Sequence, residues 1–230
     1  MIVSIIGAGK VGNCLTRLFQ QKSIDVELIS GRDILGIQSA RADLAIFALA
    51  DRAYAEIIPK IKVSFKNAVH TSGSLPLELL KPIAENYGVF YPYNSISKPE
   101  NYALNLCLEA SNTLFLKSLE KTAKIISEKV FFMDSEERAK LHLAAVFAQN
   151  FTNYLYTVAE DLTPHKSLIL ELIQHHTELL KTTPAKLLQT GPAIRRDDNI
   201  IQAHLRRLEN PDDRELYRLL TRNIQKKHEL

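Results

Sequence analysis

The chain has 230 residues, 46% of them apolar and 24% charged, with a formal net charge of +3. That balance excludes a long disordered tract, a low-complexity fibre and a polyelectrolyte, and leaves room for one large packed domain or two modest ones. Two cysteines, Cys14 and Cys107, stand far apart without paired spacing, and no run of about 18 apolar residues or charged leader occurs, so a cytoplasmic protein without disulfide framework, metal centre or membrane span is expected.

Up to residue 133 short apolar segments alternate with amphipathic ones. IVSII, VELIS, DLAIFAL, NAVH, GVFYPY and VFFMD read as buried strands, and LCLEA as a weaker one. Between the first two, Val11, Leu15, Leu18 and Phe19 fall on one helical face; Leu116, Leu119, Ala123 and Ile126 form another. Strands alternating with helices predict an α/β fold, a Rossmann-type doubly wound, mainly parallel sheet covered on both faces. After residue 133 the strand signals stop. Asp134 with Glu137 predicts a reciprocal helix cap, and the periodicity continues to about Asp161. Pro164, Pro184 and Pro211 sit near later helix starts. The expected organisation is therefore residues 1–133 as a dinucleotide-binding domain and 134–230 as an all-α domain, the latter small enough to need a second subunit, giving a homodimer.

The stretch GAGKVG follows the first strand and opens the first helix. Gly7 permits the tight turn, Gly9 admits a pyrophosphate close to the backbone, and Gly12 lets the helix pack on the sheet, so Gly7, Ala8, Gly9, Lys10, Val11 and Gly12 are candidate cofactor contacts. About 20 residues beyond the last glycine an NAD site would place a carboxylate. Here that position is Arg32, after Ser30 and Gly31. A guanidinium suits a 2′-phosphate, which favours NADP(H), with Asp33 read as a helix cap and Glu27 as a strand residue facing the other way. The third strand ends in Leu49, Ala50 and Asp51, the last also a candidate N-cap. The fourth ends in His70, Thr71, Ser72, Gly73 and Ser74, where Ser72 and His70 are candidate cofactor contacts and one serine is expected to cap a helix near Pro76. Tyr91, Tyr93, Asn94 and Ser95 follow the fifth strand, as pocket lining or as a polar loop.

On the helix after Asp134, His142, Gln149 and Asn153 lie within about 20° of one direction and Asn150 about 80° away, at roughly 100° per residue. A polar stripe on an apolar helix needs partners, which a cleft holding cofactor and substrate would supply. His142 and Asn150 are the first catalytic candidates. Lys140, on nearly the opposite side, is the second choice. Near the end, Asp197 or Asp198 is expected to cap a helix, while Arg195 pairs with a carboxylate or reaches a substrate acid. Arg214, Arg218, Arg222 and Lys226 make a basic stripe, read as a solvated or intersubunit face rather than a nucleic-acid surface.

Taken in order, GAGKVG, Ala50-Asp51, HTSGS, YPYNSIS, HLAAVFAQN and TGPAIRRD resemble a family of NADP oxidoreductases of unassigned substrate, similar to pyrroline-5-carboxylate reductases and to the C-terminal domain of 6-phosphogluconate dehydrogenases. The resemblance implies a helical dimerisation domain, cofactor at the glycine site, and His142 with Asn150 in a cleft between domains. The chain departs from it at Asn94-Ser95, where the family has a proline-threonine type motif, and at Arg195-Arg196-Asp197, where it has Arg-Gly-Asp. Together these features predict hydride transfer to or from a small C=N or C=O substrate. The alternative is an NADP-binding sensor or scaffold dimer without turnover.

Overall fold

A computed structural model describes residues 1–36, 41–96 and 104–228. Two compact units divide the chain, Met1–Asn150 and Phe151–Leu230. The first holds a seven-stranded sheet made of β1 (Ile2–Ile6), β2 (Asp25–Ile29), β3 (Leu44–Phe47), β4 (Phe65–His70), β5 (Ala84–Pro92), β6 (Asn105–Ala110) and β7 (Lys129–Phe132). Their order is β2-β1-β3-β4-β5-β6-β7. From β2 to β5 every neighbouring pair is parallel; β6 runs against β5, and β7 follows β6. The expected Rossmann-type sheet is therefore present, with one antiparallel seam.

Alternation along the strands feeds two cores. Val3, Ile5 and Ile46 face α1 (Lys10–Gln21) and α3 (Thr113–Ile126), packing on Leu15, Phe19, Leu119 and Ala123. Ile6, Ala45 and Phe47 face the other side and meet Tyr54 of α2 (Asp51–Ile57), Phe65 and Leu80. Because helices cover both faces, the central strands are apolar almost without a break, and all four residues of β3 are buried. The helix expected near Pro76 is only a 3-10 turn, Leu77–Leu80, with Pro76 at its N-cap. Pro82 follows it and cannot continue an α-helix, which explains the shortfall.

The reciprocal cap at Asp134 is formed: its Oδ1 accepts from Glu137 N at 2.8 Å, and its own N–H reaches Glu137 Oε2 at 3.3 Å. It starts α4 (Ser135–Ala145), so the described strands end at β7 and helices follow at once, whereas the boundary between the compact units falls after this helix. Residues 146–151 form a π-helical turn before α5 (Thr152–Leu162). Each turn there carries an extra residue, so the 100° spacing does not hold: Gln149 and Asn153 do not keep one direction with His142, nor Asn150 its expected offset from it. All three are exposed.

The second unit continues with α6 (Lys166–Leu180), α7 (Asp198–Arg207) and α8 (Pro211–Lys227), Pro211 standing at the first helical position. Asp197 caps α7 by accepting from Ile200 N at 3.2 Å. Arg214, the first residue of the basic stripe, donates to the carbonyls of Leu208 and Glu209 at 2.8 and 2.9 Å and so closes the end of α7. No helix among the described residues is long and apolar enough to cross a membrane.

A Cβ at Gly12 would lie 1.8 Å from the Gly7 carbonyl oxygen, whereas one at Gly9 would meet nothing within 4 Å. Gly12→Ala is therefore expected to lower the urea-denaturation free energy by about 3 kcal/mol or to prevent folding, and Gly9→Ala to change it by about 1 kcal/mol at most.

Candidate active site

The glycine turn joins β1 to α1 at the centre of the sheet, where the chain passes to β2 on one side and returns to β3 on the other. Ligands of open parallel sheets collect in the crevice outside such a point. Gly7 has φ +120, a left-handed conformation, and its N–H donates to Ile29 O at 2.8 Å. Gly9 is the N-cap of α1 and supplies no side-chain cap, and the first turn carries no acidic residue. The leading amides of Lys10, Val11 and Gly12 thus point out of the positive end of a helix without a protein anion to receive them. Asn13 Nδ2 ties the turn down through Ala8 O at 2.7 Å and Gly9 O at 3.0 Å.

Beyond β2, Ser30 and Arg32 are exposed and Gly31 is half-buried. Leu49 fixes their position: its Cδ2 would lie 2.9 Å from a Cβ on Gly31 and 3.3 Å from one on Gly7, so it sits wedged between the ends of β1, β2 and β3. Glu27 is two residues inside the strand and accepts from Ser4 Oγ at 3.1 Å, which matches the reading of a residue turned from the ligand edge. Asp33 is the first residue of a 3-10 turn, Asp33–Gly36, not the cap before a helix.

After β3, Ala50 occupies the N-cap of α2, correcting the expectation for Asp51, which is the first helical residue. Asp51 instead accepts from Ser74 Oγ at 2.5 Å. Ser72 Oγ accepts from Ser74 N at 3.1 Å and Leu75 N at 3.0 Å, which closes a turn within the loop; the N-cap of the 3-10 turn is Pro76, so neither serine takes the capping role expected of one of them. His70 is fully buried, with both ring nitrogens used. Ser72 N–H donates to its Nδ1 at 3.2 Å, so Nε2 carries the proton and donates to Pro76 O at 3.1 Å. Burial pushes His70 down to about 4, and the nearby Arg138 guanidinium adds to the effect. His70 therefore shapes the loop as a neutral ring.

One face of α4 is laced along that loop. Ser135 Oγ accepts from Leu77 N at 3.0 Å, Arg138 Nη2 donates to Leu75 O at 2.5 Å, and His142 packs on Gly73, where a Cβ would meet its Nδ1 at 2.7 Å. Arg138 is 1% exposed and also forms an ion pair with Glu109 of β6, whose carboxylate accepts from the Ser135 amide and hydroxyl at 3.1 and 2.9 Å. A buried pair whose oxygens are otherwise satisfied fixes geometry, and loss of either member leaves a stranded charge.

The lacing delivers His142 to Tyr91 at the end of β5. The phenol lies 3.0 Å from His142 Nδ1, and the rings meet edge to face with centroids 5.9 Å apart. Burial pushes Tyr91 up to about 12, followed by smaller effects of Cys107 and Tyr93. Lys140 faces away, paired with Glu136 at 2.6 Å, and both side chains are more than 70% exposed. Asn150 lies exposed in the π turn. Of the loop after β5, Asn94 accepts from Asn105 N at 2.8 Å, while Ser97 falls outside the described residues.

The model of the DUF2520 family, a domain of unknown function, matches residues 104–224, more than half of the chain. The chain belongs to the DUF2520 family. A Bacteroides fragilis protein provisionally named an NADP oxidoreductase is 32% identical, with 98% of each chain covered and a TM-score of 0.85. A reductive aminase from Aspergillus terreus, solved with NADPH and ethyl-5-oxohexanoate, is 14% identical over 98% of this chain and 93% of its own, with a TM-score of 0.72. 1-Pyrroline-5-carboxylate reductase from Streptococcus pyogenes is 13% identical over 98% of each chain, with a TM-score of 0.57. The last two share the fold. No protein of curated function matches significantly.

In this DUF2520 member the residues that sequence reasoning passed over are Glu109, Ser135 and Arg138. A signal existed: Ser135, Arg138 and His142 are three and four residues apart and share a helix face. The carboxylate partner, on a strand distant in sequence, carried none.

His70 sets a pH dependence. Its proton affinity is lower in the fold than in the unfolded chain, so the unfolded chain takes up a proton first as pH falls below about 6.5, and stability drops until about 4. Between pH 7 and 4 the protein is expected to lose about 3 kcal/mol that His70→Gln does not lose, measured by urea denaturation at stepped pH.

Proposed function

We propose that the protein is an NADP(H)-dependent oxidoreductase acting on a small C=O or C=N substrate. The observation that carries this reading is the bare glycine turn: Gly7 and Gly12 are packed to the limit, while above Gly9 the space is open to 4 Å. A diphosphate there would receive the leading amides of α1. Strand order supports the rest of the placement. Arg32 follows β2 on one side of the turn, suited to a 2′-phosphate, and the Tyr91–His142 pair lies beyond β3 and β4 on the other, suited to the nicotinamide end. Such a cofactor supplies or accepts a hydride. The chain's own role is to bind, orient and move a proton, and of His142, Asn150 and Lys140 it is His142 that meets a second proton-carrying side chain, Tyr91, at the end of β5, whereas Lys140 is paired with Glu136 on an exposed face. The Bacteroides relative named for NADP and the Aspergillus enzyme solved with NADPH agree with this assignment.

The second unit, Phe151–Leu230, needs a partner of its own kind. Neither α5 nor α6 buries a single residue, and Leu168, Leu170 and Leu172 are 62, 53 and 69% exposed. Monomeric proteins rarely leave so much apolar helix uncovered. A second copy presenting the same helices covers both at once, an isologous contact that closes on itself.

Intrinsic-fluorescence titration is expected to show NADPH binding more tightly than NADH. Gly9→Asp should abolish both, and Arg32→Glu should weaken NADPH by about 10- to 100-fold while sparing NADH. Absence of binding to either coenzyme overturns the proposal, and tight binding without turnover across carbonyl and imine substrates returns the sensor reading. Sedimentation should give a dimer, and Leu168→Glu combined with Leu172→Glu a monomer.

A further inference from the structure

Resting on the oxidoreductase reading, we infer that Tyr91 and His142 form a two-step proton relay, phenol to Nδ1 and Nε2–H to substrate, which fits the site to a neutral carbonyl rather than to an iminium ion. Three observations converge on it. The 3.0 Å contact is the phenol's only hydrogen bond among the described residues, so if Nδ1 were the donor the phenolic proton would be stranded in a half-buried site. Tyr91 therefore donates, Nδ1 is bare, and Nε2 carries the ring proton. Nε2 in turn has no hydrogen-bond partner among the described residues and is free to meet a substrate atom. Third, both rings pack on one backbone point: Gly73 lies so close that a Cβ there would meet Nδ1 at 2.7 Å, Cγ at 2.8 Å and the Tyr91 Cζ at 2.8 Å.

The substrate class follows from the balance. When a carbonyl carbon is reduced, with NADPH as the hydride source, a C–H bond forms, the C=O π pair moves to oxygen, and that oxygen needs one proton. His142 Nε2 gives it, Nδ1 takes the Tyr91 proton, and the phenolate left behind regains a proton from water. An alkoxide is a stronger base than a phenolate, so the transfer runs downhill, even with Tyr91 pushed up to about 12. The groups acting on the phenol are the Arg138 guanidinium, which favours the phenolate, and Cys107, Tyr93 and Asp51, which oppose it. An iminium ion becomes a neutral amine on receiving the hydride and needs no proton, so the relay gives it nothing. Tyr91 is thus a positioning residue that also holds the second proton, and His142 the group that touches substrate.

The test reads the ring directly. In the 15N spectrum of the imidazole, the ligand-free protein is expected to show His142 as the Nε2–H tautomer and Tyr91→Phe to show both tautomers, with NADPH affinity unchanged. An Nδ1–H ring in the wild type, or identical spectra in the two proteins, overturns the relay. In turnover, Tyr91→Phe should lower kcat for a carbonyl substrate by about 100-fold with KM within about twofold, and leave reduction of N-methylpyrrolinium unchanged. Equal losses on both substrates overturn it, as does a wild type that binds NADPH yet reduces no member of a panel of aldehydes, ketones and 2-oxo acids. Failure to bind NADPH at all sinks the oxidoreductase reading instead and leaves the tautomer result legible.

Discussion

The start of α1 lies directly on the backbone of the turn that precedes it, with room for a hydrogen and nothing more between Gly12 and the Gly7 carbonyl. That contact sets how far the helix descends onto the sheet, and hence where its unpaired amides point. The same turn is held from the other side, because a Cβ on Gly7 would strike the Ala48 carbonyl at 2.3 Å. Three strand ends are thereby locked around one backbone knot. Side chains could not do this, since each would need the space that the knot occupies.

The second determinant is electrostatic. Arg138 and Glu109 are drawn out of water together, with Ser135 and the Leu75 carbonyl meeting further polar groups of the pair, while Arg138 Nε is buried without a partner among the described residues. The arrangement does not make the fold strong, since apolar replacements of buried pairs often serve as well for stability. It makes the fold specific. A helix bound to a loop by a charge has one acceptable height, and that height brings an imidazole to a phenol.

Much of this was legible in the residues. All seven strands were marked by short apolar runs, β6 more weakly than the rest, and the central β1 and β3 most clearly, because strands buried on both faces leave little room for polar interruptions. The glycine turn was legible because its spacing reports backbone geometry directly. The Asp134 cap was visible for the same reason. Other features depended on contacts that spacing does not encode. The helix near Pro76 shrank to one turn under the influence of Pro82, and Ala50 took the cap expected of Asp51. Periodicity at 100° per residue described α4 well as far as Ala145, and then misplaced Gln149, Asn150 and Asn153 across the π turn, because a helix that widens changes its own angular step. His142 was found for a partly mistaken reason: its companion is Tyr91, not the amides further along the helix.

The lacing of α4 along the loop after β4 turns eight residues into a gauge. Ser135, Arg138 and His142 engage positions 77, 75 and 73, so two residues of loop are matched by three or four of helix at every step. Inserting or deleting one residue within that span would rotate everything after it by roughly 100°, carrying the imidazole off the phenol while the sheet stayed as it was. Over these eight positions, descent with changes of length would be far more costly to the chemistry than descent with changes of letter.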